Sequence, residues 1–480
     1  MLFKHSVLYL FARGLPGIIN FLAIAVYTRL LSPEEYGRYS LVVAGVGFFN
    51  VVFFQWLRLS LLRFLPTYLK NTRILFSTVL VSFATLMLIT GTTGVLLAAL
   101  WPDPVWQKLL LFSIPLLWTQ AWFELNLELQ RSRLQPVRYG LMSGMKAVLS
   151  LGLGVLIVLW GFGAYGPLTG LLVGMLFAGQ WGGWKDWKQG FSGFSSPLFR
   201  ELLRYGLPLT ATFALAFVVS ASDRFLIAYF LGEDLAGVYA AGYDLGQQSL
   251  TILMMMVNLA AYPLAVRALE LHGVKAAQNQ LKQNAILLLA VAVPATMGLI
   301  IVAPNVTSVF LGADFREAAT LLLPWVSLAI LFSGVRAYHF DLAFQLGRYT
   351  MGQIWVVGTA AIINIILNVL LIPLLGLKGA VYATVIAYFL ALFLSIMLGR
   401  RVFPVPFSLK DAFKIVVASL IMAMCLLPTW KFHGFLWLMI QILTGITVYG
   451  ILFVLFNVGD YRTKVLRRIV KIMDRKGSVK

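Results

Sequence analysis

The strongest constraint on this chain is a series of apolar stretches about 20 residues long, the length an α-helix needs to cross a bilayer. Fourteen can be read, over residues 7–30, 39–62, 74–97, 108–129, 139–160, 165–184, 205–231, 238–264, 284–310, 318–345, 353–375, 379–399, 412–428 and 435–457. The connections are short and carry turn residues, such as Ser32-Pro33, Pro102-Asp103-Pro104 and Gly161-Phe162-Gly163. The chain is 60% hydrophobic and only 12% charged. A soluble multidomain enzyme of that composition could not cover its surface with polar groups, and a disordered chain would need low hydrophobicity. The expectation is an all-α integral membrane protein with 14 transmembrane helices.

The net charge of +20 tests the count. With the N-terminus placed in the cytoplasm, the external connections hold six basic residues: Arg29, Arg38, Lys108, Arg316, Lys378 and Lys431. Cytoplasmic connections and termini hold 27, and five lie within spans. That asymmetry follows the positive-inside rule, predicts both termini on the cytoplasmic side and supports an even number of spans. It also accounts for the basic charge without nucleic acid. Eight cations between Arg462 and Lys480, with Val465, Ile469, Ile472 and Met473 at helical spacing, predict an amphipathic tail on an anionic membrane face. Arg13 and Asn20 interrupt the first apolar stretch, so it is not expected to be a cleavable signal peptide. The single cysteine, Cys425, excludes an internal disulfide and is expected to be a buried, inert thiol.

The two halves resemble each other. Leu31, Glu34, Gly37 and Tyr39 after the first span match Leu231, Asp234, Gly237 and Tyr239 after the seventh, at an offset of 200. Gly14-Leu15-Pro16 and Gly206-Leu207-Pro208 open the preceding spans. Six helices followed by six with the same orientation make a parallel repeat about an axis along the membrane normal, with substrate between the halves. The expected divisions are an N-terminal six-helix bundle (1–184), a cytoplasmic linker (185–204), a C-terminal six-helix bundle (205–400), two further helices (401–457) and the basic tail (458–480).

These motifs resemble the polysaccharide-transporter family of the multidrug/oligosaccharidyl-lipid/polysaccharide exporter superfamily. The segment Leu31–Ser40 is similar to the family's first-loop signature. Ser222-Asp223-Arg224-Phe225, followed by Leu231-Gly232 and Gly237-Val238-Tyr239, resembles its seventh-span region. Asn364, Asn368, Leu371-Ile372-Pro373, Gly376 and Gly379-Ala380 resemble its eleventh-to-twelfth span junction. The resemblance runs over about residues 5–400. It implies a flippase in the inner membrane that moves a polyprenyl-diphosphate-linked oligosaccharide, such as an O-antigen or exopolysaccharide unit, beside other polysaccharide-assembly membrane proteins.

Ionisable groups inside spans are costly and usually face a cavity. The bases are Arg13, Arg58, Lys146, Arg224 and Arg336; the acids are Glu124, Glu128, Asp223, Asp244 and Asp341. Arg13, Asn20 and Tyr27 share a face of the first span, Gln55 and Arg58 a face of the second, and Gln120, Glu124 and Glu128 a row on the fourth. Tyr243, Asp244, Gln247, Gln248 and Thr251 stripe the eighth. Arg13, Arg58, Lys146 and Arg336 lie towards the cytoplasmic ends of their spans and Arg224 towards the external end. The five are candidates to hold an anionic headgroup, because guanidinium forks suit phosphate oxygens. Several have a plainer reading: snorkelling for Arg13, a partnership with Glu124 or Glu128 for Lys146, a pair with Asp341 for Arg336 and, among the acids, interhelical glue for Asp223. Trp101, Trp106, Trp181, Trp184 and Trp430 read as interfacial anchors.

No G-x-x-x-x-G-K-[ST] loop occurs, so ATP hydrolysis is not expected and no cofactor is implied. Na⁺ or H⁺ coupling through Glu124, Asp223, Asp244 or Asp341 is the candidate energy source. A membrane glycosyltransferase, polymerase or ligase is disfavoured because no sizeable external loop is present. A multidrug exporter and a peptidoglycan lipid precursor flippase remain as alternative readings.

Overall fold

The structure, a computed structural model, describes residues 2–68, 71–187 and 193–463, without the side chains of residues 2–15, 182, 184–186, 260 and 350. Arg13, Trp184 and nearly all of the basic tail therefore lie outside the described residues. The order is α1 (Leu2–Leu30), α2 (Pro33–Phe64), α3 (Thr72–Leu100), α4 (Pro104–Ser132), α5 (Pro136–Leu159), α6 (Tyr165–Trp187), α7 (Ser196–Leu231), α8 (Glu233–Phe310), α9 (Ala313–Val335), α10 (Leu342–Leu346), α11 (Thr350–Leu375), α12 (Leu377–Val402), α13 (Leu409–Leu426) and α14 (Phe435–Leu455). A π turn, Arg336–Phe340, joins α9 to α10. No strand occurs among the described residues.

Ten helices among the described residues are long and apolar enough to cross a membrane. Their outer faces confirm the solvent: on α14, Leu436, Leu443 and Ile446 are each more than 60% exposed, which only lipid makes tolerable. The protein is a multi-pass membrane protein. As one straight rod, the 78 residues of α8 would reach roughly 120 Å, several bilayer widths. Gly273, at φ 78° and ψ −174°, breaks that run in two. The connection expected at 265–283 is thus helical on both sides of one glycine. Likewise, α7 begins at Ser196, inside the segment expected to be linker.

Local sequence sets the helix starts. Pro33 opens α2 behind a capping box: Glu35 N donates to Ser32 Oγ (3.2 Å) and Ser32 N to Glu35 Oε2 (3.0 Å). Asp103 caps α4 ahead of Pro104, and Ser195 caps α7. In the second copy of the hairpin motif, Gly232 at φ 102° ends α7 instead.

The chain divides into two compact units. The first comprises Met1–Ala241 with Val357–Ala380, the second Gly242–Val356 with Val381–Lys480. In the first, α2 packs on α4 and α7, and α5 on α1 and α6, around a core that includes Phe54, Leu57, Leu75, Phe123 and Leu168. Gly166, Gly170 and Gly174 line the α6 face against α5, and a Cβ on Gly170 would strike the Ser150 carbonyl and Gly154 backbone. This close approach fixes the backbone of Lys146, whose carbonyl lies beside Gly174.

The 200-residue offset is visible as a reciprocal contact in the first unit. A methyl group on Gly37 would run into the Glu233 carbonyl, and one on Gly237 into the Pro33 carbonyl. Pro33 and Glu233, like Gly37 and Gly237, are offset mates. Arg38 Nε donates to Glu233 Oε2 (2.6 Å), and Trp106 Nε1 to Glu233 Oε1 (2.5 Å). Trp106, expected at the lipid interface, therefore closes the polar side of this contact.

In the second unit, Ile286, Leu289, Val293, Val335, Ile415 and Val458 form one core cluster. Asn305 Nδ2 donates to Gln441 Oε1 (2.9 Å) and its Oδ1 accepts from Gly434 N (2.8 Å), tying α14 to α8. Cys425 is exposed rather than buried. Apolar composition marks a lipid-facing surface as readily as a core, so the run around Cys425 could not distinguish them.

Candidate functional site

A cavity of about 370 Å³ opens within the first unit. Its polar lining comes from Asn20 on α1, Arg58 on α2, Gln120 and Glu124 on α4, and Ser143 and Lys146 on α5. Leu116, Phe123, Leu171 and Met175 supply apolar wall. Glu124 is the hub. It is ion-paired with Arg58 Nη1 and accepts from Asn50 Nδ2 (2.7 Å) and Gln120 Nε2 (3.1 Å). Arg58 Nη1 also donates to Gln55 Oε1 (2.8 Å). Its Nε is buried without a hydrogen-bond partner among the described residues. Lys146 makes no ion pair among the described residues; its Nζ stands 5.9 Å from the centroid of the Phe123 ring.

Among the described residues the wall holds two cationic side chains and one carboxylate. One cation is already partnered and the other is not. Among the described residues such a cavity has a formal charge of +1 and donors on four helices, which suits a multiply charged anion whose oxygens accept several bonds.

The other residues singled out in the sequence lie elsewhere. Asp223 is buried on α7 and accepts from Tyr239 Oη (2.7 Å) and Asn368 Nδ2 (2.5 Å), while Ser222 Oγ donates to Asn364 Oδ1 (3.2 Å). The seventh- and eleventh-span motifs are thus one hydrogen-bonded packing unit. Arg224 is half-buried on α7 and does not line the cavity. Glu128, the last of the α4 row, pairs with Arg131 at 3.2 Å. Tyr27 donates to the Ser150 carbonyl (3.1 Å), locking α1 to α5.

In the second unit, Arg336 Nε lies 3.6 Å from Asp341 Oδ2, and Ser395 Oγ donates to Asp341 Oδ1 (2.7 Å). Residues five apart stand about 140° apart on an α-helix, too far round to pair. The π turn between them, marked by Asp341 N donating to Arg336 O (2.9 Å), is what brings them together. A second pocket there, of about 120 Å³, is lined by Tyr243, Gln247, Thr251, Ser333, Tyr338 and Tyr388 among others. Of the α8 stripe, Tyr243, Gln247 and Thr251, on successive turns, face the pocket, and Asp244 and Gln248 are not in its lining. Asn50 and Ser143 escaped the sequence reading, although Asn50 stands eight residues before Arg58 and so on the same helix face.

Known proteins agree with this architecture. No curated protein matches the sequence itself. Among solved structures, a lipid II flippase MurJ in an inward closed conformation is similar in fold. It has a TM-score of 0.77 at 17% identity, over 94% of this chain and 99% of that one. An inward-facing multidrug resistance MATE family transporter gives 0.63 at 14% identity, over 82% and 97%. A transporter of the same superfamily from Pyrococcus furiosus gives 0.60 at 14%, over 82% and 94%. At such identities these likenesses establish the fold. The model of the polysaccharide biosynthesis protein family matches residues 26–320, more than half of the sequence. The chain belongs to the polysaccharide biosynthesis protein family and has the fold of the multidrug/oligosaccharidyl-lipid/polysaccharide exporter superfamily.

Proposed function

We propose that this protein is a flippase that carries a polyprenyl-diphosphate-linked oligosaccharide from the cytoplasmic to the external leaflet of the inner membrane. The observation that carries the reading is the cavity lined, among the described residues, by Arg58, Lys146 and one carboxylate, in a member of a polysaccharide biosynthesis family. The diphosphate is the part of such a substrate that a bilayer excludes most strongly. Arg58 and Lys146 replace its hydration with charge-assisted bonds, and Arg224, nearer the other end of its span, receives it.

In this reading fourteen spans, two six-helix bundles plus two further helices, carry the chain with both termini in the cytoplasm. Transport follows alternating access between the two halves of the repeat. The Gly37–Gly237 contact, latched by Arg38 and Glu233, supports an external gate at the hairpins. Coupling to H⁺ or Na⁺ runs through Glu124, whose bond to Arg58 is the one an arriving anion competes for. Arg336, Asp341 and Asp223 serve the packing of their helices.

The test is transbilayer movement of a fluorescent polyprenyl-diphosphate sugar in vesicles reconstituted with the purified protein. Wild type should equilibrate the leaflets, while Arg58→Ala and Lys146→Ala should not, at equal insertion. Movement that survives both substitutions refutes the reading. The fold shared with a lipid II flippase favours one second reading, transport of the peptidoglycan lipid precursor. The same vesicles loaded with that lipid instead distinguish the two. The cationic cavity disfavours cationic drugs as cargo.

A further inference from the structure

We infer that the pocket of the second unit is a subsite for one uncharged monosaccharide ring, an assignment that rests on the glycolipid reading above. The lining carries the argument. Tyr243, Gln247 and Thr251 stand one turn apart along α8, Ser333 and Tyr338 come from α9 and the π turn, and Tyr388 comes from α12. Among the described residues, no carboxylate, ammonium, guanidinium or imidazole lines it. What it offers is an amide, aliphatic hydroxyls and phenols beside ring faces, with Tyr243 Oη and Tyr388 Oη 3.4 Å apart. Among the described residues, Gln247, Thr251 and Ser333 engage no side-chain hydrogen-bond partner, so their donors and acceptors are available to a ligand. A sugar ring matches this on both counts: its hydroxyls both donate and accept, and its axial C–H face packs on aromatic rings.

The neutrality of the pocket is built rather than accidental. Arg336 immediately precedes the lining residue Ala337, and Asp341 follows three residues after Tyr338. On a regular α-helix those two charges would point apart, and each would need its own partner. The π turn pairs them with each other at 3.6 Å, away from the lining. π turns inside helices recur at functional sites, and here the turn removes charge from a wall that would otherwise attract ions. The volume sets the size of the ligand. At about 120 Å³ the pocket is on the scale of a single six-membered ring; a cavity of about 150 Å³ holds benzene. An oligosaccharide chain does not fit within it, so one residue of the sugar is read and the rest stays outside.

The experiment uses the full-length purified protein in lipid nanodiscs. Saturation-transfer NMR is recorded with glucose, galactose, mannose and N-acetylglucosamine at millimolar concentrations, and with glucuronic acid as the charged counterpart. Binding of inorganic pyrophosphate, measured by calorimetry, reports on the cavity of the first unit. At least one neutral sugar should bind saturably and more tightly than glucuronic acid. Gln247→Ala and Thr251→Val should each weaken that binding roughly tenfold, the loss of one or two hydrogen bonds, and leave pyrophosphate binding unchanged. Arg58→Ala should do the reverse, and retained pyrophosphate binding shows that the pocket variants are folded. Absence of saturable binding by every neutral sugar, equal binding of glucuronic acid, or indifference to both pocket substitutions overturns the inference. Failure of pyrophosphate binding with sugar binding intact overturns the diphosphate reading instead.

Discussion

Replacing Glu124 with Gln should make this protein bind inorganic pyrophosphate more tightly. Among the described residues the cavity holds Arg58, Lys146 and Glu124, for a formal charge of +1, and Glu124 is the group that an arriving anion must oppose. Glutamine keeps the size of the side chain and an acceptor oxygen for Asn50 or Gln120, but removes the negative charge and releases Arg58. A phosphate oxygen settling about 6 Å from the carboxylate would be repelled by roughly 0.7 kcal/mol at the dielectric constant of water and roughly 2.8 kcal/mol at an effective value of 20. Arg58 and Glu124 are 22% and 23% exposed, so neither limit applies in full. The expected gain in affinity lies between those bounds, roughly 3- to 100-fold.

Calorimetry with pyrophosphate on the protein in nanodiscs measures it. Arg58→Ala should weaken binding, because it leaves Glu124 facing the ligand with only Lys146 in opposition. Arg58→Ala combined with Glu124→Gln restores the formal charge to +1 and should recover part of the loss. The gain should shrink at high salt, since the cavity is in contact with solvent. Unchanged or weaker binding by Glu124→Gln, with elution and melting like wild type, refutes the claim that this cavity is an anion site. If Glu124 also carries the coupling ion, the same variant will bind better and transport less.

Other consequences can be checked individually. Gly37→Val places side-chain atoms against the Glu233 carbonyl, an overpacking cost of about 1–3 kcal/mol. In a Cys425→Ser background, labelling of Ser40→Cys by a membrane-impermeant maleimide should then rise about tenfold, and no rise would refute a closed contact there. Arg336→Gln strands Asp341 in a buried site and should cost about 3–5 kcal/mol, seen as a loss of thermal stability. Adding Asp341→Asn should return most of it. Tyr239→Phe removes a donor to buried Asp223, about 1.5–3 kcal/mol, and should lower the melting temperature without altering pyrophosphate binding.

Much of this molecule is legible in its sequence because the bilayer imposes a length on every helix. The apolar stretches give helices at nearly every expected place, and the proline and serine caps locate their starts. The offset of 200 picked out two segments that the structure brings into contact, and helical spacing put Gln55 beside Arg58 and Gln120 beside Glu124. What periodicity cannot supply is the direction an apolar face looks. In water an apolar face is a buried face, whereas in lipid it is equally often an outer one, and Cys425 shows the consequence. Nor does propensity reveal a π turn. The Arg336–Asp341 pair depends on one residue of extra register, which no local pattern of side chains marks.

The charge balance shows how these limits bear on function. Five bases and five acids within spans sum to nothing, so a cationic site has to arise from where the pairs form. The structure forms them locally: Arg58 with Glu124, Glu128 with Arg131, and Arg336 with Asp341. Each pairing removes one opposing charge from play, and Asp223 is satisfied by neutral donors. Among the described residues, Lys146 is left as the cation in the cavity wall that forms no ion pair. Its carbonyl lies beside Gly174 of α6, and its Nζ stands 5.9 Å from the centroid of the Phe123 ring. On the proposed reading the anion site is built from one spare charge and one exchangeable pair. Such a site can release what it binds, because the carboxylate is always at hand to reclaim Arg58 when the anion leaves.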